Sequence, residues 1–282
     1  VGAGLIPRVR GFDEPAKLGD AMARQKLGQH FLVDRGWQKK ILETLSVAEG
    51  DVWIEIGAGH GEMTQLLAES GARVYAIETD SNLAERLREK APAWGNVKVI
   101  EADVLTVDFQ KKLAHERFRV YGNLPYYITS PILRRLFDST AKIASIDIVI
   151  QLEVAVRIVA PPGRRDYGYL STLCQFFAKP EIVYKIPPGA FAPPPRVTSA
   201  LVQMTLPGEC AILGIRNESR FLEFLQSCFA QKRKTLRNNL RELFSDEQIA
   251  EALKSCGLTS DARAEQLSLK QFAALYAGIA EE

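Results

Sequence analysis

Short apolar runs suited to buried strands alternate with amphipathic, helix-like runs from about residue 37 to residue 205, and this rhythm restricts the fold more than any other feature of the chain. Asp34 stands where a cap is needed for a helix carrying Trp37, Ile41, Leu42 and Leu45. Strand-like runs follow at 52–56, 73–78, 97–100, 118–122 and 146–151. Between them lie helix-like runs at 62–69, with Met63, Leu66 and Leu67 turned inward, around Leu83 and Leu87, and at 132–137. This order predicts an α/β fold with a parallel, doubly wound sheet, a design that binds ligands beyond the C-terminal ends of its strands. The proline-rich stretch 187–195 predicts a rigid extended loop, 199–205 a closing strand, and Pro207-Gly208 a linker. From Glu218 onward apolar residues recur at helical spacing, through Phe221, Leu225 and Phe229, then Leu236, Leu240 and Leu243, then Leu267, Phe272 and Leu275. The expected organisation is a flexible leader over 1–24, a sheet domain over 25–206 and a small all-α domain over 207–282.

Composition removes several function classes. With 282 residues, 46% of them hydrophobic, the chain can bury a core for one large domain and a smaller one. A net charge of only +2 means that any affinity for nucleic acid must come from local patches. Cys174, Cys210, Cys228 and Cys256 are too scattered for a zinc site and read as reduced thiols of an intracellular protein. His30, His60 and His115 are equally dispersed, so no metal is expected. No apolar run approaches the roughly 20 residues that span a bilayer. The first 24 residues lack the apolar stretch of a signal peptide, which fits a cytoplasmic location.

The stretch Glu55-Ile56-Gly57-Ala58-Gly59-His60-Gly61 follows the first long strand and opens a helix. Gly57 and Gly59 permit a tight turn and a close backbone approach to a ligand. The spacing is not the Gly-x-Gly-x-x-Gly that seats a dinucleotide pyrophosphate, and the preceding acid disfavours phosphate and favours a cationic ligand. S-adenosylmethionine fits, having an ammonium and a sulfonium but no phosphate. Glu78, ending the next strand, can accept both ribose hydroxyls, and Asp103, after the third, can accept the adenine amino group. Each acid alone reads as a solvated loop residue; three at successive strand ends beside a glycine loop read as a site.

Asn123-Leu124-Pro125-Tyr126 ends the fourth strand. Asn123 and the backbone carbonyl of Leu124, before the kink at Pro125, can accept the two protons of an exocyclic amine. Tyr126 offers a face for base stacking, worth roughly 1–3 kcal/mol. The same four residues also suit an ordinary polar turn.

Taken together, these residues closely resemble the KsgA/Dim-type ribosomal RNA adenine dimethyltransferases, over nearly the whole chain from Lys26. Gly28-Gln29-His30-Phe31-Leu32 is similar to the family's N-terminal cofactor motif, and Gln151 to Arg157 and Tyr167-Gly168 also match, although relatives often have lysine at position 152. The resemblance implies a Rossmann-like class I S-adenosylmethionine-dependent fold whose cofactor pocket is lined by His30, Leu32, Gly57, Glu78, Asp103 and Asn123. It makes 123–126 the catalytic motif and Phe191 a second stacking aromatic; the residues alone also allow Phe191 to anchor its loop. The run from Gln231 to Arg241 carries Lys232, Arg233, Lys234, Arg237 and Arg241 with no acid. Such a run is often only a solvated face; here, with its Asn pair, it suits phosphate contacts to RNA from one helix. The implied substrate is two adjacent adenosines in the 3'-terminal hairpin loop of small-subunit ribosomal RNA, within a pre-ribosomal particle, acted on by a monomer without membrane or metal. Alternatives are a macrolide-resistance methylase of large-subunit RNA, a protein-glutamine methyltransferase, and a non-catalytic RNA-binding assembly or transcription factor.

Overall fold

Asp34 caps the first long helix, accepting a hydrogen bond from the Trp37 amide at 2.9 Å. The computed structural model describes residues 30–109, 116–125 and 128–280; the leader read over 1–24 lies outside them, as do Gly28, Gln29 and Tyr126. In chain order the elements are β1 (Phe31–Leu32), α1 (Arg35–Leu45), β2 (Val52–Ile56), α2 (Glu62–Glu69), β3 (Arg73–Glu78), α3 (Ser81–Trp94), β4 (Val97–Glu101), β5 (Phe118–Asn123) and α4 (Thr129–Phe137). They continue as β6 (Ile143–Gln151), α5 (Leu152–Val159), α6 (Tyr169–Phe177), β7 (Lys179–Ile186), β8 (Phe191–Ala192) and β9 (Ser199–Thr205). After a four-residue helix at Cys210–Leu213, the longer C-terminal helices are α7 (Glu218–Cys228), α8 (Leu236–Leu240), α9 (Asp246–Ser255) and α10 (Leu269–Ala280).

Seven strands form one sheet in the order β4-β3-β2-β5-β6-β9-β7. The first five are mutually parallel, as the alternating pattern predicts, and β9 runs antiparallel to both β6 and β7. The sheet is therefore mixed rather than parallel throughout. In β6, Ile146, Ile148, Val149 and Ile150 are all fully buried, which suits a central strand covered on both faces. Ile41 and Leu45 of α1 are likewise fully buried, each worth roughly 1.5–3 kcal/mol. A separate two-stranded ribbon joins β1 to β8 antiparallel, pairing Phe31 with Ala192 and Leu32 with Phe191.

The described chain divides into two compact units, and the division differs from the one read in the sequence. One holds the sheet, with residues 30–159 and 174–209; the other holds residues 160–173 with the C-terminal helices from 210. The reason for the inserted segment is local. Tyr167 is buried with its ring 6.1 Å from that of Phe229, and its hydroxyl donates to the Leu267 carbonyl at 2.9 Å.

Candidate functional site

The chain goes from β2 to β3 and β4 on one side and reaches β5 and β6 on the other, so the topological switch point lies between β2 and β5. Gly57, Glu78, Asp103 and Asn123 stand at or just beyond the C-terminal ends of β2, β3, β4 and β5. There they line one cleft, together with His30 and Pro125 and the apolar groups Phe31, Ile56, Ile77, Val104, Leu124, Ile128 and Ile132. It opens to solvent, and its mostly apolar wall with a few convergent polar groups has the make-up of a small-molecule site.

The glycine loop is fixed by backbone bonds to β3 and by one within the loop. Gly57 and Ala58 donate to the Ile77 carbonyl at 2.9 and 3.2 Å, and Gly61 donates to Ala58 at 3.0 Å. Gly59 donates to Glu78 Oε2 at 2.9 Å. Its φ of +58° favours glycine, and a Cβ there would lie 2.9 Å from the Phe31 ring. A pyrophosphate needs those amides free and no carboxylate beside them, so the loop suits an adenosyl ligand without phosphate. Glu78 is buried, and its Oε1 accepts from the Thr79 and Asp80 amides, both at 2.9 Å. Oε2, which accepts from Gly59 alone, keeps one acceptor site, whereas Oε1 is filled by its two amides. Asp103 is exposed and accepts from the Leu105 amide at 2.9 Å through Oδ1; among the described residues nothing occupies Oδ2.

Asn123 is tied to the N-terminal arm, where its Nδ2 donates to the His30 carbonyl at 2.7 Å. That bond settles the orientation of the amide and leaves Oδ1 as the outward acceptor. The Leu124 amide donates to Val149 at 3.0 Å, and no described residue donates to the Leu124 carbonyl. The arm is itself held in place. His30 Nδ1 lies 2.7 Å from the Pro193 carbonyl, and the buried Gln38 donates to the Leu32 carbonyl at 2.7 Å. Val33 and Asp34 both donate to Ala190. Gln38 was missed in the sequence because it belongs to no spacing that carries chemistry, and Phe31, although inside the N-terminal motif, was not singled out as a lining residue.

Three expectations change. Leu32 is 5% exposed and packs in the core, so Phe31 lines the cleft in its place. Phe191 is 3% exposed and belongs to the same cluster as Leu32, Ile41 and Trp53, so it anchors its loop and offers no stacking face. Glu55, read as attracting a cationic ligand, does not line the cleft. It is buried, with Thr64 Oγ1 donating to it, and burial pushes its carboxyl up to about 8, so it is mostly protonated at neutral pH.

The basic run of the helical unit is only partly helix. Residues 231–235 form a turn, and α8 begins after Thr235, whose hydroxyl caps the Asn238 amide. Lys232, Arg233, Lys234, Arg237 and Arg241 are all exposed, yet Arg237 pairs with Asp246 at 2.9 Å. Lys232 Nζ donates to the Arg165 carbonyl at 2.8 Å. Asn239, read as one of a phosphate-binding pair, is buried and donates to the Cys228 and Gln231 carbonyls. Among the described residues no cluster is arranged to hold a metal, and no helix is long and apolar enough to cross a membrane.

The protein is therefore a methyltransferase of the Rossmann-like class that draws its methyl group from S-adenosylmethionine, not a dinucleotide enzyme. Comparison with known proteins narrows the class. The chain belongs to the ribosomal RNA adenine dimethylase family, whose profile matches residues 21–281. It is 46% identical over 256 residues to the ribosomal RNA small subunit methyltransferase A of Acidobacterium capsulatum, covering 90% of each chain. The protein of the same name from Koribacter versatilis is 42% identical over 266 residues, with 90% of this chain and 93% of that one covered. Among solved structures, a dimethyladenosine transferase from Plasmodium falciparum superposes with a TM-score of 0.74 at 24% identity, over 87% of this chain and 96% of that one. The 23S ribosomal RNA methyltransferase ErmE gives 0.67 at 27% identity, over 88% and 99%.

Proposed function

We propose that this protein transfers methyl groups from S-adenosylmethionine to the 6-amino groups of two adjacent adenosines in the 3'-terminal hairpin loop of small-subunit ribosomal RNA. In this reading it works as a cytoplasmic monomer on a pre-ribosomal particle. The observation that carries the reading is the Asn123 amide, turned by the His30 carbonyl so that Oδ1 and the Leu124 carbonyl are two acceptors at one strand end. The names of the relatives at 42–46% identity support small-subunit RNA over the large-subunit alternative.

Glu78 and Asp103 would hold the adenosyl group through ribose hydroxyls and the adenine amine respectively, with His30 and Gly57 completing the wall. When bound, the cofactor supplies an electrophilic methyl on a sulfonium. The substrate amine is a poor nucleophile because its lone pair is delocalised into the ring. Accepting its two N–H bonds at Asn123 Oδ1 and the Leu124 carbonyl favours a pyramidal nitrogen with a localised lone pair. Fixing that nitrogen in line with the methyl removes much of the entropic barrier. The new N–C bond leaves a cationic nitrogen that is acidic and releases a proton without a strong base, so a neutral carboxamide suffices. Extruding the base costs a few kcal/mol, offset in part by stacking on Tyr126, and is cheapest in a single-stranded loop. Because Phe191 is enclosed, one aromatic face rather than a pair carries the stacking.

Incubation with labelled S-adenosylmethionine and undermethylated small subunits, followed by mapping of the modified nucleotides, tests the assignment. Dimethylation at two adjacent adenosines of the 3'-terminal loop is expected. Label confined to large-subunit RNA, or to protein, would overturn it.

A further inference from the structure

We infer that the exposed turn at residues 161–166 is a second RNA-backbone contact of the helical unit, with Arg164 and Arg165 as its phosphate ligands. The inference rests on the RNA-substrate reading above and extends it to a segment that the sequence places within the sheet domain. Three bonds pin the turn to the C-terminal part of that unit. Gly163 donates to the Glu265 carbonyl at 2.7 Å, the Tyr167 hydroxyl to Leu267 at 2.9 Å, and Lys232 Nζ to the Arg165 carbonyl at 2.8 Å. The last bond puts the turns 161–166 and 231–235 side by side.

The bond sets the Arg165 backbone against Lys232, and Arg164, Arg165, Lys232, Arg233 and Lys234 are all exposed on the two adjoining turns. Asp166 is the one acid in either turn. Among the described residues neither Arg164 nor Arg165 has an ion-pair partner, in contrast to Arg237, which Asp246 holds. Cations gathered in this way repel one another, and a polyanion relieves that repulsion while releasing its counterions. Arginine also presents a planar fork matched to phosphate oxygens. Lys232 thereby acts as a positioning residue, because its ammonium is committed to the carbonyl that orients the arginine turn.

The test measures binding of undermethylated small subunits at several salt concentrations for the wild type, R164Q/R165Q, R233Q/K234Q and K232M. Two lost phosphate contacts should flatten the log–log salt slope of R164Q/R165Q by about 1.4–1.8, with affinity for S-adenosylmethionine unchanged. In the K232M background the R164Q/R165Q effect should shrink, because the turn is no longer held; a merely structural lysine would leave the effects additive. A wild-type slope in R164Q/R165Q beside a flattened one in R233Q/K234Q would overturn this inference alone. Wild-type slopes in both would overturn the RNA reading of the whole unit.

Discussion

Replacing Glu78 with glutamine removes one charge and almost no volume, which makes it the sharpest probe of the cofactor pocket. In the native protein Oε1 accepts the Thr79 and Asp80 amides and Oε2 accepts Gly59, all at 2.9 Å. The glutamine carbonyl can retain the first two, but its NH₂ then faces the Gly59 N–H, donor against donor. One charge-assisted hydrogen bond is lost in a buried place, a cost of about 1.5–3 kcal/mol in folding stability. The same change frees the glycine loop and weakens the acceptor proposed for the ribose. Each loss of about 1.4 kcal/mol in binding is tenfold in affinity, so a drop of tenfold or more is expected. Chemical denaturation reads the first effect and titration calorimetry with S-adenosylmethionine reads the second. A variant with wild-type stability would refute the inference that Glu78 holds the loop. A folded variant with wild-type affinity would remove Glu78 from the pocket.

Three further outcomes follow from the positions of particular side chains. Phe191→Ala should cost about 3–5 kcal/mol in a denaturation experiment, as for other enclosed aromatics; loss of RNA use without loss of stability would restore its stacking role. Between about pH 4.5 and 8 folded Glu55 keeps a proton that the unfolded chain releases, so stability should fall as pH rises through that window and level off above it. Glu55→Gln should remove that part of the slope, and an unchanged pH profile of the denaturation midpoint would show that Glu55 is not held neutral. In the basic run, Arg233→Gln should flatten the salt dependence of RNA binding more than Arg237→Gln, whose cation Asp246 already engages; equal effects would contradict this ranking.

The parallel half of the sheet and the polar edge of the cleft were legible because both rest on local pattern. Alternating periodicity marks β2 to β6, and the acids and glycines stand at strand ends that the pattern itself defines. The antiparallel edge was not, because β7 reads Lys-Pro-Glu-Ile-Val-Tyr-Lys-Ile and its charges and proline hide a strand that only β9 explains. The β1–β8 ribbon joins two-residue strands about 160 positions apart, too short to carry periodicity. Fold membership of residues 160–173 depends on Tyr167 meeting Phe229 and Leu267, which no local signal encodes. Resemblance supplied His30 as a cofactor residue; the structure adds what the motif alone could not, namely that its carbonyl orients Asn123. Residue type misled at Glu55, Phe191 and Asn239, where a functional-looking side chain is buried.

The most direct measurement compares Asn123→Ala with the wild type in two assays on the same preparation, calorimetric binding of S-adenosylmethionine and single-turnover methylation of undermethylated small subunits. If Asn123 Oδ1 and the Leu124 carbonyl together hold the substrate amine, turnover should collapse by at least 100-fold, on the order of the loss when one preorganised transition-state hydrogen bond is removed. Cofactor affinity should meanwhile stay within a few-fold of wild type. Methylation at a near-native rate in a variant that still binds the cofactor would contradict the mechanism.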